Sequence, residues 1–261
     1  MDRNDNVWMA SYGSHSVVVY LNGDPGRRLN YHRPATLSSF LPFGVALAAD
    51  GTAWVTNSDP VLGGVTQLAI GSSALQLRHN TEVGKTVKGI AIDSTGYIWI
   101  ASGGDDYVYL LDPSGKVLSP HRTGGMDGAW GVFIDGNDDL WVANFGPLDR
   151  TSTDFKGRLT CLAGAGTADP GAPLSPETGY TLPTAGAPVL LRGGAPLYGP
   201  GAPLCYTPMM RTTGVNVDQA GNVWTCNNWK PDFNIDMDEN PGGDGMVIFI
   251  GLGKPPVNRW T

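Results

Sequence analysis

The stretch from Asn227 to Asn240 concentrates the residue types that could do chemistry. Asp236, Asp238 and Asn240 stand on alternate positions, so their hard oxygens can converge on one cation, calcium or magnesium. The twelve-residue calcium loop is not completed, because Pro241 stands where its glycine belongs and Val247 where its closing glutamate belongs. A solvated acidic loop is the other reading of the same residues. Trp229 and Phe233 read either as a small loop core or as a flat platform for a sugar or peptide ring. Elsewhere the chemistry is sparse. His15, His32, His79 and His121 fall in loops or outer strands, where packing and solvation account for them. Cys161, Cys205 and Cys226 lack metal-ligand spacing and read as buried or half-buried thiols, with a Cys205–Cys226 bridge as the alternative. No nucleophile turn G-x-S-x-G, paired-cysteine metal motif or phosphate-binding glycine loop is present.

Composition narrows what can position these residues. The 261 residues include 37 Gly and 20 Pro, yet 41% of the chain is apolar and it holds 8 Trp, which excludes a disordered chain. Only 16% is charged, low for a helical protein whose solvent faces need Lys and Glu. A net charge of −7 argues against nucleic acid as partner, since phosphate binding needs a basic stripe. No apolar run approaches the roughly 18 residues of a membrane-spanning helix. The N-terminus lacks the basic-then-apolar pattern of a secretion signal.

Repetition then sets the fold. Four copies read FGVALAADGTAWVTN, KGIAIDSTGYIWIAS, WGVFIDGNDDLWVAN and TGVNVDQAGNVWTCN, and a headless copy, MDRNDNVWMAS, opens the chain. The tryptophans at 8, 54, 99, 141 and 224 are 46, 45, 42 and 83 residues apart, and aspartates at 2, 50, 93, 135 and 218 keep a similar interval. A period near 42 is that of a four-stranded propeller blade. The small apolar segment after each leading Gly suits a crowded inner strand, and the Asp-x-x-Gly sequence suits a tight hairpin. The Trp-bearing second strand offers a flat surface to the adjacent blade. A third strand follows, and a more polar fourth fits an outer edge. The expected architecture is a single all-β propeller domain over 1–261. It has five to six blades, the first incomplete, with 163–211 an insertion or degenerate blade. The incomplete first blade suggests a chain taken from a longer parent, and closure by a second copy as a homo-oligomer.

The pattern P-x-G-[IV]-A-[IV]-D-x-x-G-x-[IV]-W-[VI]-[AT]-[NS] resembles the NHL-type propeller repeat and the similar repeat of the streptogramin (virginiamycin B) lyase family. The segments 174–180 (LSPETGY) and 247–252 (VIFIGL) also look like pieces of bacterial NHL proteins. The resemblance spans about three quarters of the chain and favours an extracytoplasmic setting. It implies the fold more than the activity, because such repeats serve enzymes and scaffolds alike.

In a propeller, the loop entering each inner strand and the loop joining second to third strands open on one face. Three long irregular segments fall there: 145–156, 228–245 and the Gly-Ala-Pro-rich stretch 163–211. Long loops are more often functional than not, which places a binding surface over the Trp141 and Trp224 blades. Phe43, Lys88, Trp130 and Thr213, each just before an inner-strand Gly, are expected to ring the mouth. So are Asn57, Ser102, Asn144 and Asn227, which close the second strands, while Arg211 enters the last blade. This chemistry suits hydrogen-bonded recognition of a small polar molecule, a glycan or a protein segment, although strand-end Asn also has purely structural uses.

The resemblance to streptogramin lyases implies a metal-assisted elimination. It uses a His immediately before an inner-strand Gly and a Glu two residues earlier. Here those places hold Phe43, Lys88, Trp130 and Thr213, and Leu41, Thr86, Gly128 and Arg211, so neither residue carries over. A calcium-dependent lactonase or esterase with Asn57, Asn144 and Asn227 as ligands is a second enzymatic reading. The leading expectation is a non-catalytic, ligand- or protein-binding propeller.

Overall fold

The structure, a computed structural model, describes residues 1–32, 39–146, 157–182, 193–196, 198–199, 202–203, 209, 211–227 and 245–256. They fall into two compact units, Met1–His121 with Gly164–Gly171, and Arg122–Ala163 with Ala172–Pro256.

In the first unit, β1 (Val7–Ser11), β2 (Ser16–Tyr20) and β3 (Arg28–His32) form a three-stranded antiparallel sheet. Two four-stranded sheets follow in up-and-down order: β4 (Pro42–Leu47), β5 (Ala53–Asn57), β6 (Gly64–Ile70) and β7 (Leu75–Glu82), then β8 (Val87–Ile92), β9 (Ile98–Ser102), β10 (Tyr107–Leu111) and β11 (Val117–His121). These are the propeller blades that the repeat predicts. The Trp-bearing strand lies second in each four-stranded blade, whereas β1, which bears Trp8, stands at the edge of its sheet. Among the described residues the first blade thus has three strands, with the Trp-bearing one at its edge.

The second unit holds β12 (Ala129–Ile134), β13 (Leu140–Asn144) and β14 (Arg158–Leu162), a short ribbon of β15 (Tyr198–Gly199) and β16 (Ala202–Pro203), and a blade of β17 (Thr212–Val217), β18 (Val223–Asn227) and β19 (Met246–Phe249). Beside β14, residues 172–180 lie where an outer strand would. Leu159 and Tyr180 exchange both backbone hydrogen bonds, and Leu174 N donates to Cys161 O. Part of the 163–211 stretch thus runs along a blade edge and is not a face loop.

Cores form between successive blades inside each unit. Trp8 packs with Val17 and Val19 of its own sheet against Val55 and Leu68 of the next. Trp54 packs against Val87, Ile98 and Ile100, and Trp141 against Val217 and Val223. Trp54, Trp99 and Trp141 are almost wholly buried, each removing enough apolar surface for about 5 kcal/mol of transfer free energy.

The repeat aspartate works harder than a turn former needs to. Asp135 Oδ1 accepts the backbone N–H groups of Asn137 and Asp139, and its Oδ2 accepts the Trp141 indole N–H at 3.0 Å. Asp2 does the same for Trp8 at 3.1 Å, and Asp218 for Trp224 at 2.8 Å. The carboxylate thus welds the hairpin to the core tryptophan six residues on. Two copies differ. Asp93 holds its turn, but its Oδ2 and the Trp99 Nε1 are both buried without a hydrogen-bond partner. In the Trp54 copy the spacing alone points to Asp50 as the repeat aspartate. The turn bonds Ala48 N→Thr52 O and Gly51 N→Ala48 O match Asp93 N→Tyr97 O and Gly96 N→Asp93 O, so Ala48 holds that place. Asp50 is exposed and accepts from Thr52 alone among the described contacts.

Candidate functional site

All four inner strands share one irregularity, and it decides where the mouth residues go. Pairing jumps between Pro42 and Val45, between Val87 and Ile90, between Ala129 and Gly131, and between Thr212 and Gly214. Each jump leaves Phe43, Lys88, Trp130 or Thr213 outside the ladder register. A bulge of this kind re-aims the side chain it frees. The following Gly lets the next inner strand approach. A Cβ at Gly44 would stand 2.6 Å from Lys88 O, and one at Gly131 would collide with Thr213 O. Thr56 Oγ1 donates to Lys88 O at 2.7 Å and accepts from Gly44 N at 2.8 Å, fixing that approach.

In the first unit this geometry gathers Phe43, Lys88 and Tyr12. Lys88 Nζ lies 4.2 Å from the Phe43 ring centre and 5.8 Å from that of Tyr12. Both rings are more than two-fifths exposed, whereas Lys88 is 7% exposed. Burial pushes its ammonium down from the usual lysine range to about 8. Asn57 serves its own loop: its Oδ1 accepts from Leu41 N at 2.7 Å and its Nδ2 donates to Ser39 O at 3.3 Å. Ser102 likewise clasps both backbone groups of Lys85.

In the second unit, Trp130 stacks on Phe145 with ring centres 4.6 Å apart and planes 24° from parallel. Arg211 lays its guanidinium 4.8 Å from the Phe145 centre and holds a positive φ of 51°, an uncommon conformation for its residue type. Two backbone bonds, Phe145 N→Gly128 O and Gly146 N→Asp127 O, lock the stack in place, and Asp127 pairs with Arg158 at 3.4 Å. Asn144 is fully buried. Its Oδ1 accepts from Asp127 N and its Nδ2 donates to Thr160 Oγ1 and Arg158 O, so this amide too is spent on the scaffold. Asn227 closes β18 opposite Thr212. Trp229, Phe233, Asp236, Asp238 and Asn240 lie outside the described residues.

Tyr12 and Phe145 are the site residues that sequence reasoning missed. A signal existed: both are the first residue after a Trp-bearing strand, a place held by Ser58 and Gly103 in the other described copies. An aromatic there faces the bulge residue.

Three of the histidines take structural roles, and His32 is exposed at the end of β3. His15 Nδ1 bonds Phe40 O, His79 Nε2 bonds Thr81 Oγ1, and His121 Nε2 bonds Ser119 Oγ. His121 also rests against Trp99, and burial lowers its pKa while Asp169 partly opposes this. Among the described residues, no three His, Cys, Asp or Glu side chains gather as a metal-binding group. Cys161 and Cys226 are free thiols, and burial raises the Cys161 pKa well beyond the usual range. Among the described residues, no helix is long and apolar enough to cross a membrane.

No protein-family model matches the sequence, and neither does any curated protein. Solved structures do match. A streptogramin B lyase is 12% identical at a TM-score of 0.55, over 85% of this chain and 58% of that one. A catalytically inactive virginiamycin B lyase from Staphylococcus aureus, with quinupristin, is 13% identical at 0.57, over 95% and 74%. A luciferin-regenerating enzyme is 12% identical at 0.53, over 97% and 90%. The chain thus spans under two thirds of the streptogramin B lyase and shares its β-propeller fold.

Proposed function

We propose that this propeller is a non-catalytic binding protein whose ligand sits on the loop-bearing face of the second unit, over the Trp141 and Trp224 blades. One observation carries the reading: the Trp130–Phe145 stack with Arg211 laid on it, at a bulge that frees Trp130 from the sheet. Stacked rings receive the flat face of a sugar or peptide ring, and a guanidinium beside them pairs with a carboxylate. A small polar ligand with a ring and an acidic group, such as a uronic acid or an acidic peptide end, fits both features. The missing His and Glu at the inner-strand positions support binding without turnover.

The test is a calorimetric titration with a panel of uronic acids, neutral sugars and short acidic peptides, run beside turnover assays on lactones, esters and a streptogramin B. Binding of an acidic member is expected, weakened about tenfold or more in both Trp130→Ala and Arg211→Ala. Turnover that EDTA abolishes would replace this reading with the lyase or lactonase one. Binding unchanged by both substitutions would move the site elsewhere.

A further inference from the structure

The first unit contains a positioned amine that the binding reading does not use. Lys88 is the bulge residue of β8, and its backbone is pinned on two sides. Thr56 Oγ1 donates to its carbonyl, and the Gly44 backbone lies so close that no side chain fits between. Its Nζ lies 4.2 Å from the ring centre of Phe43 and 5.8 Å from that of Tyr12, and both rings reach solvent while the lysine is buried beneath them. A pinned, poorly hydrated primary amine between aromatic walls has the makings of a nucleophile.

We propose that Lys88 is a reactive amine that takes aldehydes as a Schiff base at the mouth of the first unit. The neutral Nζ lone pair attacks the carbonyl carbon, forming the C–N bond as the carbonyl π pair moves to oxygen. A proton passes from nitrogen to that oxygen, giving a carbinolamine. The hydroxyl then takes a proton from solvent and leaves as water, and the nitrogen lone pair closes the C=N bond. One amine, one aldehyde and one proton become one iminium and one water, with no change of oxidation state. The iminium keeps a positive charge, so the Phe43 face that now covers the ammonium also stabilises the product. The ring walls favour an aldehyde with an apolar or aromatic body. Burial supplies the reactivity by leaving a far larger neutral fraction at neutral pH than an ordinary lysine has. Among the described contacts, Tyr12 faces the amine as a titratable side chain, from the turn after β1.

The experiment needs no variant for its main reading, because Lys85 is an exposed amine three residues earlier in the same chain. The folded protein is treated briefly with benzaldehyde and cyanoborohydride over a series of pH values, and each alkylated lysine is quantified by peptide mass spectrometry. Near neutral pH, Lys88 is expected to label about tenfold or more faster than Lys85 and Lys116. Its rate should level off near pH 8. In Phe43→Ala, which admits water to the amine, the plateau is expected to move to higher pH. Lys88 labelling no faster than Lys85, or a plateau unmoved in Phe43→Ala, overturns the proposal. The result is independent of the second-unit site, since Arg211→Ala should leave Lys88 labelling unchanged.

Discussion

The contrast between two copies of one repeat gives the sharpest energetic test. In the Trp141 blade the indole N–H donates to a carboxylate at 3.0 Å, and both residues are about 2% exposed. In the Trp99 blade the same pair of atoms is buried and makes no such bond. A hydrogen bond to a charged group contributes about 1.5–3 kcal/mol net, and burial of both partners favours the middle of that range. The double-mutant cycle Asp135→Ala with Trp141→Phe should therefore show a coupling of about 2 kcal/mol, whereas Asp93→Ala with Trp99→Phe should show less than about 0.5 kcal/mol. Trp→Phe deletes the N–H and some ring volume, and the cycle cancels the volume cost because it appears in both arms. The single substitutions should differ as well. Asp135→Ala orphans the Trp141 indole and the N–H groups of Asn137, Asp139 and Lys254, while Asp93→Ala frees those of Thr95 and Tyr97 and the Thr95 hydroxyl. The assay is urea unfolding, with midpoints read at constant slope so that ΔΔG is meaningful. Equal couplings in the two cycles would refute the claim that the copies differ in this bond.

Two further outcomes follow from the bulged inner strands. The folded Lys88 value of about 8 lies below the ordinary 10.5, so between them the unfolded chain binds the extra proton and stability rises with pH. Lys88→Met should thus stabilise the protein at neutral pH by about 1–2 kcal/mol, less than the full shift implies because the substitution also gives up the ammonium's contact with the Phe43 ring, and the gain should shrink as pH climbs past 8 toward 10.5. Urea midpoints at neutral and alkaline pH check this, and a gain that grows with pH would contradict it. Gly131→Ala would drive a Cβ into the Thr213 carbonyl and should cost about 2 kcal/mol or more by thermal melting, while Gly166→Ala, with open space around it, should be nearly neutral.

The sequence alone determined the blade. A Trp on every second strand, a Gly leading every inner strand and a period near 42 reflect local demands that each copy meets with its own residues. The same local logic placed Phe43, Lys88, Trp130 and Thr213 just before the inner-strand glycines. What only the tertiary structure decided was how neighbouring copies meet. The Asn57 and Asn144 amides look like ligand-facing groups in one dimension, yet they are consumed by carbonyls and N–H groups on loops and a strand 14 to 18 residues away. Asp50 looked like the repeat aspartate because spacing tolerates a two-residue slip that hydrogen-bond geometry does not. Tyr12 and Phe145 gained their meaning from a bulge residue or cation brought beside them by chain reversal or by a later inner strand. Periodicity reports what one segment needs in order to fold. Which side chains are left over for a ligand depends on partners supplied by other segments, and only the packed blades reveal those.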